Sequence, residues 1–199
     1  MAADLGDWTP LTVEETQRLM APLGAAWWIA GGWAIDLFLG RVTREHADMD
    51  VAILRRDQPA LAELLKGWDV HLAEGGVLTP WKAGDWLEGG ARHQFWVRPT
   101  PTSPWALEVL LEEDDAGRWV YRRDPAVSLP LERFGCVSGD GAPYVAPEVA
   151  LLYKSNRLDE ERNRADFEAA ASAMDDGRRA WLKAALRLTD PKNLWIARL

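Results

Sequence analysis

Two short segments carry the residues whose types and spacing could do chemistry. In Ala47-Asp48-Met49-Asp50-Val51-Ala52-Ile53-Leu54, two carboxylates alternate at the head of an apolar run. On a strand, residues i and i+2 project from one face, so Asp48 and Asp50 meet the same space while Met49 turns into the core. Two carboxylates held that close repel unless a cation lies between them. Mg²⁺ is the natural occupant, because it takes hard oxygen ligands and keeps waters and substrate phosphates as well. An Asp-x-Asp standing alone is more often a solvated strand start. The second segment is Gly31-Gly32, between an apolar run at 27–30 and a helical pattern at 33–39. There, backbone N–H groups and a helix N-terminus can face an anion, and the missing Cβ lets a phosphate approach closely. A glycine pair standing alone is a plain tight turn. Together, with only fifteen residues between them, the two segments describe a place for a polyphosphate and its divalent cations on neighbouring strands.

The elements that position these residues follow from periodicity and punctuation. Thr12 and Glu15 form a capping box, and the helix they open runs to about residue 23 before Gly24. A short buried strand covers 27–30, Gly31-Gly32 turns the chain, and a helix over 33–39 is closed by Gly40. A strand covers 48–54, a helix 60–66 and another strand 68–72. The stretch 75–104, rich in glycine, proline and tryptophan, reads as irregular, with short strands near 77–81 and 93–97. Strands follow at 105–112 and 119–122, around a turn at 114–117. From Pro147 the pattern becomes helical: 148–156, 166–174 and 176–188, ended by Asp190-Pro191. The expected fold class is α+β, with a mixed-sheet core over 1–140 and a C-terminal helical subdomain over 141–199 packed on it.

Composition narrows the function classes. A chain of 199 residues supports one sizeable core. No apolar run approaches the ~20 residues of a membrane span, and the acidic start lacks the basic region of a signal peptide. Cys136 is the only cysteine, so there is no internal disulfide and no cysteine zinc cluster. These features fit a cytoplasmic protein. The net charge of −8 argues against a broad nucleic-acid surface and is compatible with a cationic small molecule. Most of the twelve tryptophans read as core filling, with Trp86 and Trp96 the exceptions that could wall a ring-binding site.

The run Gly31-Gly32-Trp33-Ala34-Ile35-Asp36, followed by Gly40-Arg41-x-Thr43-Arg44-x-His46-x-Asp48-Met49-Asp50, resembles the signature of the small antibiotic nucleotidyltransferases. These are the aminoglycoside and lincosamide enzymes of the polymerase-β-like superfamily. The close likeness covers 27–54, and the superfamily pattern extends it to about 112. The resemblance implies a polymerase-β-like core and transfer of a nucleoside monophosphate from a triphosphate, ATP first, to a hydroxyl of a small molecule. An aminoglycoside or lincosamide is the leading acceptor. Asp48 and Asp50 would hold two Mg²⁺ ions, and Gly31 and Gly32 would cradle the phosphates.

The family also needs a third carboxylate, as metal ligand or general base. Glu108, set between apolar neighbours in Leu107-Glu108-Val109, is preferred to Glu112, which shares its strand face; the family often has Asp here. Arg44 would contact the triphosphate as a fork donor, and Lys154 would reach the β- and γ-phosphates. Arg41 either pairs with Asp36 or binds ligand, and His46 orders the loop. His71 and His93 are assigned no role, and Cys136 reads as inert. The acidic run at 112–115 reads as a solvated turn rather than a lure for a polycation. Two alternatives stand beside this reading: a toxin or stress-type relative that modifies RNA or protein, and a member that binds nucleotide without transfer. A homodimer would let a two-part site borrow a wall from its partner.

Overall fold

In the computed structural model the described residues are 5–82, 84–89 and 92–199. The first four residues of the acidic start, and three positions within 75–104, lie outside them. Helix α1 (Val13–Met20) opens with the capping box: Thr12 Oγ1 accepts the Glu15 N–H at 3.2 Å, and the Glu15 carboxylate accepts the Thr12 N–H at 2.8 Å. A 3-10 turn then ends on left-handed Gly24. Strand β1 (Trp27–Ile29) runs directly into helix α2 (Gly31–Leu39), so Gly31 and Gly32 are the first two residues of the helix rather than a separate turn. Strand β2 (Asp50–Leu54) and helix α3 (Gln58–Leu64) follow.

Strands β3 (Asp69–Glu74), β4 (Val77–Pro80) and β5 (Gln94–Arg98) bracket the irregular stretch. The long strand β6 (Leu107–Asp115) then crosses the middle of the sheet. Strands β7 (Arg118–Val120), β8 (Ser128–Pro130), β9 (Gly135–Val137) and β10 (Pro143–Val145) are three residues each. The last three of these carry too little alternation to be read from sequence. Helices α4 (Pro147–Lys154), α5 (Glu161–Ala171) and α6 (Asp176–Thr189) complete the chain. Helix α5 begins five residues before its expected start, because Glu161-Arg162-Asn163-Arg164 has no apolar period to betray it.

The sheet is mixed, in the order β4-β3-β5-β6-β2-β1-β10-β9, with β7 and β8 folded off the far end of β6. Two pairings decide where chemistry can happen. Strand β1 lies antiparallel to β2, which brings the N-terminus of α2 beside the first residue of β2. Strand β2 lies parallel to β6 with Asp50 opposite Glu108, so these two side chains stand side by side on one face. The Asp-x-Asp run is offset from the ladder: Asp48 precedes the strand, and Glu108 N–H donates to the Met49 carbonyl at 2.8 Å. Met49, Val51, Ile53, Phe95, Val109 and Leu111 are fully buried, so the sheet centre is dry and its register firmly set. Strand β10 pairs parallel with β1, which ties the helical run after Pro147 to the sheet.

Candidate active site

The site is built around the junction of β1, α2, β2 and β6. Gly31 has φ +61°, and a Cβ there would collide with the Asp50 carboxylate. A Cβ on Gly32 would meet the Arg44 guanidinium and the His46 ring. Close approach accounts for both glycines, and at Gly31 the left-handed backbone adds to it. Ala30, the N-cap of α2, has no side chain to cap the helix, so its first N–H groups face the cleft. The loop from α2 to β2 is braced by Asp36, which is 3% exposed. It accepts the Thr43 N–H at 3.1 Å, the Thr43 hydroxyl, and a 2.6 Å bond with His46 Nε2. The His46 ring also packs on Trp33, with centroids 4.5 Å apart. Thr43 and His46, rather than exposed Arg41, hold the Asp36 carboxylate, which is the loop-ordering place expected of His46.

Asp48 and Asp50 line one cleft at this junction, and Glu108 stands beside Asp50 on the neighbouring strand. Burial, and after it the Asp48 carboxylate, push Asp50 up to about 7, against the pull of Lys154, Arg162 and Arg44. Burial, and after it Asp50, push the Glu108 carboxyl well above the usual carboxylate range, while a hydrogen bond with Gln94 pulls the other way. Asp50 and Glu108, side by side on the sheet, are thus each made harder to ionise by a neighbouring carboxylate. Among the described residues, no three His, Cys, Asp or Glu side chains converge into a ready-made metal cage.

Glu112 lines the same cleft as Asp48 and Asp50 but is engaged differently. It sits opposite Leu54, two repeats of the pleat past Glu108, and is 4% exposed. Its Oε2 accepts the Trp119 indole N–H at 2.7 Å and the Tyr153 hydroxyl at 2.6 Å. The acidic run that follows is part of β6 and is ion-paired: Glu113 binds Arg55 at 2.7 Å and Asp114 binds Arg56. Trp96 is the register neighbour of Glu108 on β5, with its ring edge-on to Trp8 and Trp105. Trp86 is 48% exposed and borders a separate groove beside α3.

An open cleft of about 220 Å³ joins Gly31, Gly32, Asp48 and Asp50 to a rim of cations. Arg44 comes from the loop before β2, Lys154 from the end of α4, and Arg157 and Arg162 from the approach to α5. Sequence reasoning missed what holds the first two. Asp166 of α5, 1% exposed, accepts Arg44 Nε at 2.9 Å and Nη2 at 3.0 Å, and pairs with Lys154 Nζ at 2.8 Å. Burial alone would raise the Asp166 carboxyl, but the Arg44 hydrogen bonds and Lys154 override it and hold it below its ordinary range. Glu160 similarly binds Arg162 at 2.8 Å and Arg157 at 3.2 Å. An aspartate amid alanines on a helix gives no sign in the sequence that it will meet residue 44 across the fold. Tyr153 and Arg123 also line the cleft unforeseen.

The chain has the fold of the antibiotic nucleotidyltransferases. It superposes on the solution structure of the antibiotic-resistance factor ANT(2'')-Ia with a TM-score of 0.59 at 18% identity, covering 88% of this chain and 91% of that one. The crystal structure of ANT(2'')-Ia in complex with adenylyl-2''-tobramycin gives the same score at 18% identity, covering 88% and 97%. The lincomycin-bound lincosamide antibiotic adenylyltransferase LnuA matches at 0.59 and 17% identity, over 83% of this chain and 100% of that one.

In sequence, residues 13–74 match the family model of aminoglycoside-2''-adenylyltransferase. The 2''-aminoglycoside nucleotidyltransferases of Escherichia coli and Klebsiella pneumoniae are 51% identical over 55 residues, which is 26% of this chain. The match spans 31% of the length of these curated relatives. The family match takes in Gly31, Gly32, Arg44, Asp48 and Asp50, and leaves out Glu108 and Lys154. Among the described residues, no helix is long and apolar enough to cross a membrane.

Proposed function

We propose that this protein is a nucleotidyltransferase that moves a nucleoside monophosphate, AMP first, from its triphosphate to a hydroxyl of a small antibiotic. The observation that carries the reading is the register of Asp50 with Glu108 beside the glycine-led N-terminus of α2. The relatives named for adenylyl transfer to aminoglycosides and lincosamides support it. The triphosphate lies along Gly31, Gly32 and the cation rim, with Arg44 and Lys154 as its phosphate partners. Asp48 and Asp50 would hold Mg²⁺, with Glu108 beside them as the base. When bound, the metal offsets their mutual repulsion and lowers the pKa of the acceptor hydroxyl.

The acceptor oxygen forms a bond to the α-phosphorus as the bond from that phosphorus to the β-phosphate bridging oxygen breaks, and pyrophosphate leaves. The hydroxyl proton passes to Glu108, which stands beside Asp50 in the register of β2 and β6. Glu112 serves instead as a wall, its acceptor capacity used by Trp119 and Tyr153. In this reading residues 1–140 form the transferase core, and 141–199 form the helical subdomain that supplies Lys154 and Asp166. Its setting is the cytoplasm, where nucleoside triphosphates are supplied and Cys136 stays reduced.

The test is pyrophosphate release in the presence of Mg²⁺, ATP and an acceptor. Release that depends on the acceptor and disappears in Asp48→Asn supports the reading. Equal release by that variant, once folding is verified, contradicts it.

A further inference from the structure

Resting on the transferase reading, we infer that the acceptor subsite selects a hydroxyl compound with a single positive charge or none, and that Arg122 and Arg123 set this specificity against polyamines. The nucleotide end of the cleft is fixed by Gly31, Gly32 and the cation rim, so the acceptor must approach Glu108 from the other side. A second hollow lies there, of about 180 Å³, sharing Leu110, Glu112, Arg123 and Tyr153 with the first. Its charged lining is two carboxylates, Glu108 and Glu112, and two guanidiniums, Arg122 and Arg123. One of the carboxylates is already engaged, since Glu112 accepts from both Trp119 and Tyr153.

The arginines are held in place. Arg123 Nη1 donates to the Tyr153 carbonyl at 3.0 Å and to the Tyr121 hydroxyl at 3.2 Å. The Arg122 guanidinium lies 5.4 Å from the centre of the Tyr153 ring. The acidic residues that follow Glu112 offer no compensating attraction, because Glu113 and Asp114 are paired with Arg55 and Arg56. An acceptor with several ammonium groups would have to bring them against two fixed guanidiniums in a hollow with no net negative charge. One with a single amine can leave it in water while its hydroxyl reaches Glu108. A chain of net charge −8 thus presents a charge-balanced acceptor site.

The experiment compares kcat/KM for lincomycin, a monoamine, and tobramycin, a polyamine, across a salt series with the wild-type protein, ATP and Mg²⁺. Lincomycin is expected to lead by about tenfold or more at low ionic strength, with the gap narrowing as salt screens the repulsion. In the double variant Arg122→Glu, Arg123→Glu the ratio should move about tenfold or more toward tobramycin. Because a ratio is read, a general loss of activity does not mimic the effect. If the double variant does not fold, Arg122→Gln should move the ratio the same way by a smaller factor. Tobramycin used as well as lincomycin by the wild type, or a ratio that ignores salt and substitution, overturns the inference. Failure to release pyrophosphate with every acceptor overturns the transferase reading itself, and this inference with it.

Discussion

Replacing Asp166 by Asn tests whether one buried carboxylate organises the cation rim. The Asp166 side chain is 1% exposed, while Arg44 and Lys154 are 22% and 14% exposed. Breaking a fully buried ion pair by removing one partner costs about 3–5 kcal/mol. Here the two cations left behind can each gain some water, so the lower end applies, about 3 kcal/mol. For a chain of this size that is a fall in Tm of roughly 6–12 °C.

The sign with pH follows from the depressed carboxyl of Asp166. Its stabilisation is present above the unfolded-state value, about 3.9, and is lost as pH falls through the lower folded-state value. Urea denaturation at neutral pH should therefore show the full difference between wild type and variant, and denaturation below about pH 3 should show little. Pyrophosphate, which can replace Asp166 as counterion to Arg44 and Lys154, should raise the Tm of the variant more than that of the wild type. A loss below about 1 kcal/mol at neutral pH, the level of an exposed pair, would refute the reasoning. So would a difference that does not change in acid.

Further predictions concern the carboxylates and glycines. In chelating buffer, wild-type stability should decline as pH rises from about 4 to 7, because a carboxyl titrating near 7 is ionised there at the expense of the native state. Asp50→Asn should then be the more stable protein at pH 8, by up to about 4 kcal/mol, as measured by denaturant unfolding. Gly31→Ala should combine strain at φ +61° with a clash against Asp50, costing roughly 1–3 kcal/mol and about 100-fold or more in turnover; paired stability and rate measurements would show both. Glu108→Gln should lower kcat about 100-fold or more, as removal of a general base does. Glu112→Gln keeps an oxygen for Trp119 and Tyr153 and should retain most of its turnover. Equal losses in these two variants would undo the separation of their roles.

What the sequence made legible was local. The capping box at Thr12 and Glu15, the strand into Gly31-Gly32, and the strand expected over 48–54 all rest on contacts a few residues apart; the first two stand where they were expected, and the third starts two residues later, at Asp50. The pairing that makes the site depends on a parallel register between residues 50 and 108, which no short-range pattern encodes. The only sequence-level hint of Glu108 was a carboxylate set among apolar neighbours. Asp166 was invisible for the same reason in sharper form, since its partners lie 122 residues away at Arg44 and across two helices at Lys154. The acidic run 112–115 misled because charge alone does not reveal pairing. Arg55 and Arg56, which absorb it, follow β2, and only the sheet brings them together.

Mass spectrometry of lincomycin and tobramycin incubated with the protein, Mg²⁺ and ATP tests the central claim most directly, with Asp50→Asn run in parallel. The account predicts an acceptor heavier by one adenylyl group, pyrophosphate in equal amount, and neither product from the variant. An unmodified acceptor with no pyrophosphate, or an adduct that persists in folded Asp50→Asn, would contradict it.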